Sequence, residues 1–115
     1  MTCNEIENLK NELNEIKNTT SHQQTKQKHP YKIGENYFIR TVTHHFTGKL
    51  IAVYKHELVL INAAWIADDG RFNIAVSTGT FSEVEPYPNG KEVIIGRGYL
   101  IDASILSGPL PREVK

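Results

Sequence analysis

The chain has 115 residues, with 13 basic and 13 acidic side chains and a formal net charge of zero. This length suits one domain of modest core plus an appendage, and the balanced charge argues against a long nucleic acid as ligand, because such binding relies on a broad positive field. A single cysteine, Cys3, suits a reducing cytosol. The sequence also lacks an apolar stretch of about 20 residues and a signal segment, which predicts a soluble, unexported protein that does not contact membranes.

Residues 1–17 are predicted to form an N-terminal helix. Thr2 and Glu5 offer a capping box, and four apolar residues follow the spacing of a heptad seam, Ile6, Leu9, Leu13 and Ile16. A helix this short is marginal alone in water, so it must pack on its own domain or on copies of itself. The narrow stripe favours oligomerisation.

Residues 18–36 are predicted to be a linker, because 18–28 contain no apolar residue. His22 and His29 lie in it at a separation that matches no usual metal-ligand spacing. An antiparallel β domain is expected over 37–115. The predicted fold class is therefore α+β, an N-terminal helix followed by a mainly antiparallel β domain.

Three antiparallel strands are predicted over 37–43, 50–54 and 58–61, with a polar turn at 55–57. Residues 62–67 either extend the third strand or begin a helix. Asp68-Asp69-Gly70 then ends that element as a turn, which these residues favour over a metal site.

The second half of the β domain begins at 72–77, which fits a short helix or an irregular crossing equally well. Residues 81–85 and 93–95 are predicted to pair as a hairpin around the turn signal Pro88-Asn89-Gly90. A last strand is expected over 99–106, before prolines end regular structure.

Catalytic signatures are absent from the sequence, including phosphate-binding glycine loops, nucleophile elbows and zinc patterns. His44 and His45 are adjacent, so on a strand they point to opposite faces and do not share a metal. The sequence thus favours a binding protein over an enzyme, with no cofactor and no metal.

The arginines suggest what is bound. Arg40 and Arg97 stand beside aromatic and glycine residues, and guanidinium groups suit phosphate while aromatic faces suit bases. Gly96 and Gly98 either mark a kink that projects Arg97 toward a ligand or flank an ordinary surface arginine at a strand bend. Phe81, like Trp65 and Phe72, is more often a core residue than a ligand platform, and it is the best stacking candidate of the three because its polar neighbours place it at an edge. A phosphorylated or nucleotide ligand is therefore predicted.

Four segments resemble a known family. They are Phe38-Ile39-Arg40-Thr41-Val42-Thr43-His44-His45, Asn62-Ala63-Ala64-Trp65-Ile66, Phe81-Ser82-Glu83-Val84-Glu85-Pro86-Tyr87-Pro88 and Ile95-Gly96-Arg97-Gly98. Together they look like the phage-encoded Thoeris anti-defence proteins of the first described type, over residues 37–115.

The resemblance implies an N-terminal helix, an antiparallel β core and assembly into dimers or hexamers. It also implies a molecular sponge in the cytoplasm of the infected bacterial host. Members of that family capture glycocyclic ADP-ribose without cleaving it, so that the downstream effector stays inactive. Some members also hold cyclic di- or trinucleotides in a separate pocket between subunits.

The same resemblance assigns site residues. It implies that Phe81 stacks on adenine, that Arg97 donates to the pyrophosphate, and that Arg112 joins this pocket, from a neighbouring subunit where the pocket is shared. A second site is implied for Arg40, Arg71 and His45.

Two other functions fit the sequence. An oligomeric structural or accessory phage protein would use the β domain for protein contacts, and the exposed arginines would lie at the rim of that interface. A nucleotide hydrolase would use His44 or His45 as general base, although the missing metal or nucleophile pattern counts against it.

Overall fold

The computed structural model describes residues 29–115, in which Tyr31–Lys115 form one unit. The elements are β1 (Asn36–Thr41), β2 (His45–Val53), β3 (Glu57–Asp68), α1 (Phe72–Thr78), β4 (Glu83–Pro86), β5 (Glu92–Gly96), a single 3₁₀ turn (Arg97–Tyr99) and β6 (Leu100–Ile105). The predicted antiparallel β domain is confirmed. The predicted N-terminal helix lies outside the described residues. Within residues 29–115, α1 is the one α-helix.

All strand pairs are antiparallel, in the order β4-β3-β2-β1-β6, and β5 also pairs with β3. The three residues between β5 and β6 span at most roughly 10 Å. Since β5 lies beside β3 and β6 lies beside β1, the sheet must curl to bring these strands together. Two backbone bonds hold the connection, from Arg97 N to His56 O at 2.8 Å and from Val42 N to Tyr99 O at 2.9 Å.

The predicted hairpin between residues 81–85 and 93–95 is wrong. β4 pairs with Ala64–Asp68 and β5 pairs with Glu57–Ile61, so the two strands lie one after the other along the same edge of β3. The turn signal at 88–90 does form a turn, closed by Lys91 N bonding to Pro88 O at 3.1 Å. This turn lies between two strands that pair with the same edge of β3, on either side of the interruption at Asn62.

Asn62 adopts a left-handed conformation with φ of 52°. Its side-chain Oδ1 accepts a hydrogen bond from Gly90 N at 3.0 Å, which joins the interruption in β3 to the turn between β4 and β5. Asparagine tolerates this conformation better than most residues with a side chain. The segment 62–67, open in the sequence, therefore continues the third strand beyond a kink.

Two apolar clusters form the core, one on each face of β1. Tyr37 and Ile39 belong to the first cluster, with Leu50, Leu58 and Leu60 among its fully buried members. Phe38 points the other way into the second cluster, which also contains the residues Ala64, Ile66, Ala75, Phe81, Val84 and Leu106. Alternation along a strand sends neighbours to opposite faces, so the middle of β1, Tyr37–Ile39, is covered on both sides and is apolar.

The helix α1 settles the open segment at 72–77 in favour of a short helix. It ends at Gly79, which is left-handed with φ of 73° and whose N–H donates to Ala75 O at 2.9 Å. A β-carbon at Gly79 would lie 2.1 Å from Ser107 O, so the helix end is in close contact with the chain after β6. Glycine is needed here for its backbone angle and for the space.

Gly79→Ala should therefore destabilise the domain by roughly 3 kcal/mol or more, through a left-handed alanine and a backbone clash. Gly90 provides the matched control, since its φ is 80° and no atom lies within 4 Å of an added β-carbon. Gly90→Ala should cost only the conformational strain of about 1–2 kcal/mol. Urea unfolding of the two variants measures the difference, and equal losses would contradict the close contact.

Candidate ligand-binding grooves

The C-terminal groove is formed where the tail crosses the end of α1 and β4. It measures about 510 Å³ and is lined by Thr78, Gly79, Thr80, Phe81, Val84 and residues 109–115. The tail is fastened to β4 by two backbone bonds of 3.0 Å between Val84 and Lys115. Phe81 and Arg112, which the family resemblance assigns to one pocket, both line this groove.

Arg112 is held in place by the protein itself. Its Nη1 donates to Ala63 O at 2.8 Å, and its Nη2 donates to Tyr87 O and to Asn89 Oδ1, both at 2.6 Å. Its Nε also donates to Asn89 Oδ1, at 3.2 Å. These bonds occupy the edges of the guanidinium and fix its plane, so stacking on its face is the contact best suited to a flat ligand.

Phe81 lies in the core, so the expectation that it stands at an exposed edge is wrong. Its side chain is 3% exposed, and its ring centroid lies 5.0 Å from that of Phe38 at an angle of 60°. The neighbours of Phe81 in the sequence are polar because they face solvent, while Phe81 itself points into the core. Its role toward a ligand stays a prediction.

Arg97 lies in a different groove of about 500 Å³, the Arg97 groove, lined by Tyr31, Lys55, His56, Arg97, Gly98 and residues 100–103. Its Nη1 donates to Tyr54 O at 2.6 Å, and its guanidinium carbon lies 5.3 Å from the ring centroid of Tyr31. The expected break in the strand at Gly96–Gly98 is confirmed by the 3₁₀ turn. Within one chain, Arg97 does not line the groove of Phe81 and Arg112.

Lys55 and His56 were not singled out from the sequence, where they marked only a turn. The curl of the sheet brings them beside Arg97, so this groove gathers the cations of Lys55 and Arg97 and the imidazole of His56, together with the Asp102 carboxylate that is paired with Arg40. Convergent cations are suited to a phosphate group. No sequence signal connects them, because the turn lies about 40 residues before Arg97.

Arg40 and His45 face each other across β1 and β2, and Asp102 is the partner of Arg40 on β6. The Arg40 guanidinium forms a two-pronged ion pair with Asp102, in which Nε donates to Oδ1 at 2.9 Å and Nη2 donates to Oδ2. It also lies 4.4 Å from the ring centroid of Phe72. Arg40 thus connects β6, β1 and α1.

His45 has a carboxylate partner as well. Its Nδ1 lies 2.8 Å and 2.9 Å from the two carboxylate oxygens of Asp69. Arg71 occupies the position just before α1 and accepts a backbone bond from Ala75 N at 2.9 Å. Arg40 and His45 are therefore neighbours that are already paired with carboxylates, and Arg71 directly precedes Phe72, whose ring Arg40 contacts.

A third site, the aromatic groove, was not predicted. It measures about 600 Å³ and is lined by His44, Phe46, Trp65, Glu85, Pro86, Tyr87 and Pro88. Strand register builds it, since Phe46 pairs with Trp65 and Trp65 pairs with Glu85, which places the three side chains in one row across β2, β3 and β4. Ile39 continues this row on β1, so the groove opens at the rim of the first core cluster.

Comparison with known proteins gives a loose structural likeness. No protein-family model and no curated protein matches the chain. The heptameric SmAP1 of P. aerophilum is similar with a TM-score of 0.48 and 19% identity, over 66% of this chain and 84% of that one. A heptameric archaeal Sm protein has a TM-score of 0.46 and 18% identity, over 64% and 88%. At these values the comparison describes only a similar chain path.

Residues 29–115 contain no group of three or more histidine, cysteine, aspartate or glutamate side chains arranged to hold a metal. This described part also contains no helix with the length and apolarity that a membrane crossing requires.

The ion pair between Arg40 and Asp102 predicts a pH dependence of stability. The hydrogen bond from Arg40, followed by its charge, lowers the pKa of Asp102, although partial burial opposes the shift. A carboxylate pKa that is lowered in the folded state stabilises the fold at pH values above the pKa of the unfolded chain, near 4. This stabilisation is lost as the pH falls through the pKa of the folded state. Asp102→Asn should therefore reduce stability at pH 7 by less than about 1 kcal/mol, because the pair is partly exposed, and should have almost no effect near pH 2.

Urea unfolding at both pH values tests this expectation. Glu92→Gln serves as the control, since it removes an exposed carboxylate on β5 that pairs with no basic group in the described structure. An Asp102→Asn effect that is the same at both pH values would contradict the electrostatic origin.

Proposed function

We propose that this chain is a non-enzymatic binding protein that sequesters glycocyclic ADP-ribose and releases it uncleaved, as an anti-defence sponge. The observation that carries the proposal is that Phe81 and Arg112, far apart in sequence and assigned to one pocket by the family resemblance, line the same groove. A fixed guanidinium plane and an apolar wall suit the adenine base of such a signal.

The pyrophosphate requires a second set of contacts. Arg97 lies with Lys55 and His56 in a separate groove, so the complete pocket would be formed in a homo-oligomer, dimer or hexamer, by the C-terminal groove of one subunit and the Arg97 groove of another. Pockets between subunits enclose a small ligand on several sides and exclude water. A ligand that spans two subunits then stabilises the assembly.

A sponge must also bind tightly. It has to lower the free signal below the threshold of the effector, and a nanomolar dissociation constant corresponds to about −12 kcal/mol. Lys55 and Arg97 of the Arg97 groove would supply charge-assisted bonds to phosphate, while Arg112 contributes a surface whose geometry is set before binding. Arg40, Arg71 and His45 remain candidates for a second site that takes cyclic di- or trinucleotides.

The decisive experiment is retention of intact ligand. Purified protein is mixed with glycocyclic ADP-ribose, filtered, heat-denatured, and the released compound is identified by chromatography. Recovery of unchanged ligand supports a sponge. A changed product would indicate an enzyme. If the denatured protein releases no compound, both the sponge and the enzyme are contradicted.

Arg112→Lys tests the C-terminal groove, because it preserves charge and removes the fixed plane. We expect at least about a tenfold loss of affinity, or 1.4 kcal/mol. Arg97→Lys in the same assay tests the phosphate contact separately. A folded Arg112→Lys protein with unchanged affinity would remove this groove from the proposal.

A second function, that of a homo-oligomeric accessory protein, is favoured by a specific feature of β6. Among the described strands β6 pairs with β1 alone, and it exposes Ile101 at 59% and Ile105 at 45%. An exposed apolar edge is a ready template for pairing with another chain. A second copy of this chain is the simplest partner.

Ile101→Lys combined with Ile105→Lys should shift the protein toward monomer in light scattering after size exclusion. Ile94→Lys is the matched control, since Ile94 is 67% exposed and lies on β5. If Ile94→Lys dissociates the oligomer and the β6 variant does not, the proposal that the copies pair through β6 is contradicted. Because Ile101 lines the Arg97 groove, the retention test uses Ile105→Lys alone. Loss of ligand retention in a monomeric Ile105→Lys protein would support pockets shared between subunits, whereas an oligomer that retains no ligand would leave the accessory role.

A further inference from the structure

We infer that the aromatic groove is a binding site for an organic ammonium cation, separate from the proposed nucleotide site. The groove has one formal charge among its lining residues, the carboxylate of Glu85, and no lysine or arginine lines it. A carboxylate beside aromatic walls attracts positive charge and repels phosphate. The ligand chemistry is therefore opposite to that of the Arg97 groove.

The aromatic walls favour a cation that carries apolar substituents. Trp65 is 39% exposed although it is large and apolar, and indole is the best aromatic surface for a cation. Phe46, which pairs with Trp65 across β2 and β3, and Tyr87 also line the groove. Alkyl groups on the nitrogen would bury against these rings while the charge stays near their faces.

His44 shows that a nitrogen-bearing ring already fits among these side chains. Its centroid lies 6.2 Å from that of Phe46 with planes 23° apart, and 6.0 Å from that of Trp65 at 52°. The three rings form a continuous surface from β2 to β3. A ligand would extend this arrangement toward Glu85, which faces Trp65 across the β3–β4 pair.

The part of the groove that Tyr87 forms is held in place by its backbone. Tyr87 stands between Pro86 and Pro88, whose rings fix φ on either side of it. Its backbone N–H donates to Ala63 O at 2.9 Å, which anchors the wall to β3. A wall that is ordered before binding reduces the entropy cost of holding a small ligand.

Choline and its neutral carbon isostere 3,3-dimethylbutan-1-ol provide a matched pair of probes. Trp65 is the only tryptophan of the chain, so its fluorescence reports on this groove, and calorimetry gives the affinity directly. We expect choline to bind at least about tenfold more tightly than the alcohol. Equal affinities would overturn the proposal, because they would show apolar binding without recognition of charge.

Two variants localise the effect. Glu85→Gln should weaken choline binding by about tenfold while the alcohol is unaffected, and Glu92→Gln on β5 should change neither. Glycocyclic ADP-ribose retention should be preserved in Glu85→Gln, which separates this site from the proposed function.

Three results would overturn the inference. They are an unchanged choline affinity in folded Glu85→Gln protein, no choline binding to the full chain, and a Trp65 response to guanosine monophosphate in the absence of one to choline. The last result would identify the groove as a base-stacking site.

Discussion

The kink in β3 at Asn62 and Ala63 is the constraint on which the rest of the described structure depends. It divides one edge of β3 between β4 and β5, and it presents Ala63 O as an acceptor for both Tyr87 N and Arg112 Nη1. A straight β3 would pair these groups within a regular ladder. Because it bends, the same carbonyl anchors the wall of the aromatic groove and the C-terminal tail.

The arginines illustrate why residue type alone does not define a binding site. Arg40 is neutralised by Asp102, and Arg112 is surrounded by backbone and amide oxygens. Arg97 also donates to a carbonyl, yet it lies beside Lys55 and His56. Satisfied guanidinium groups are rigid, and rigidity favours stacking geometry over flexible capture of phosphate. The three arginines therefore have different chemical capacities on one small domain.

The grooves also differ in electrostatic character, which separates the ligands that they suit. The Arg97 groove holds Lys55 and Arg97, and its one carboxylate, Asp102, is paired with Arg40, whereas the aromatic groove contains a carboxylate and no lysine or arginine. A charged ligand that one groove attracts is therefore repelled by the other. A neutral chain can therefore carry sites of opposite preference, a property that its net charge of zero conceals.

The sequence by itself determined much of the local structure: the presence of the first three strands, the end of the third at Asp68–Gly70, the break around Arg97 and the antiparallel character of the domain. It did not give their full lengths, since β2 begins at His45 and not at residue 50, and β3 continues past residue 61 to Asp68. These features follow from alternation and from turn residues, which act over a few positions. Only the tertiary structure decided that β4 and β5 share one edge of β3, that Phe81 is buried, and that Phe46, Trp65 and Glu85 form a row. Alternation tells which face a side chain occupies but not which strand lies beside it, since pairing is chosen by packing between residues distant along the chain.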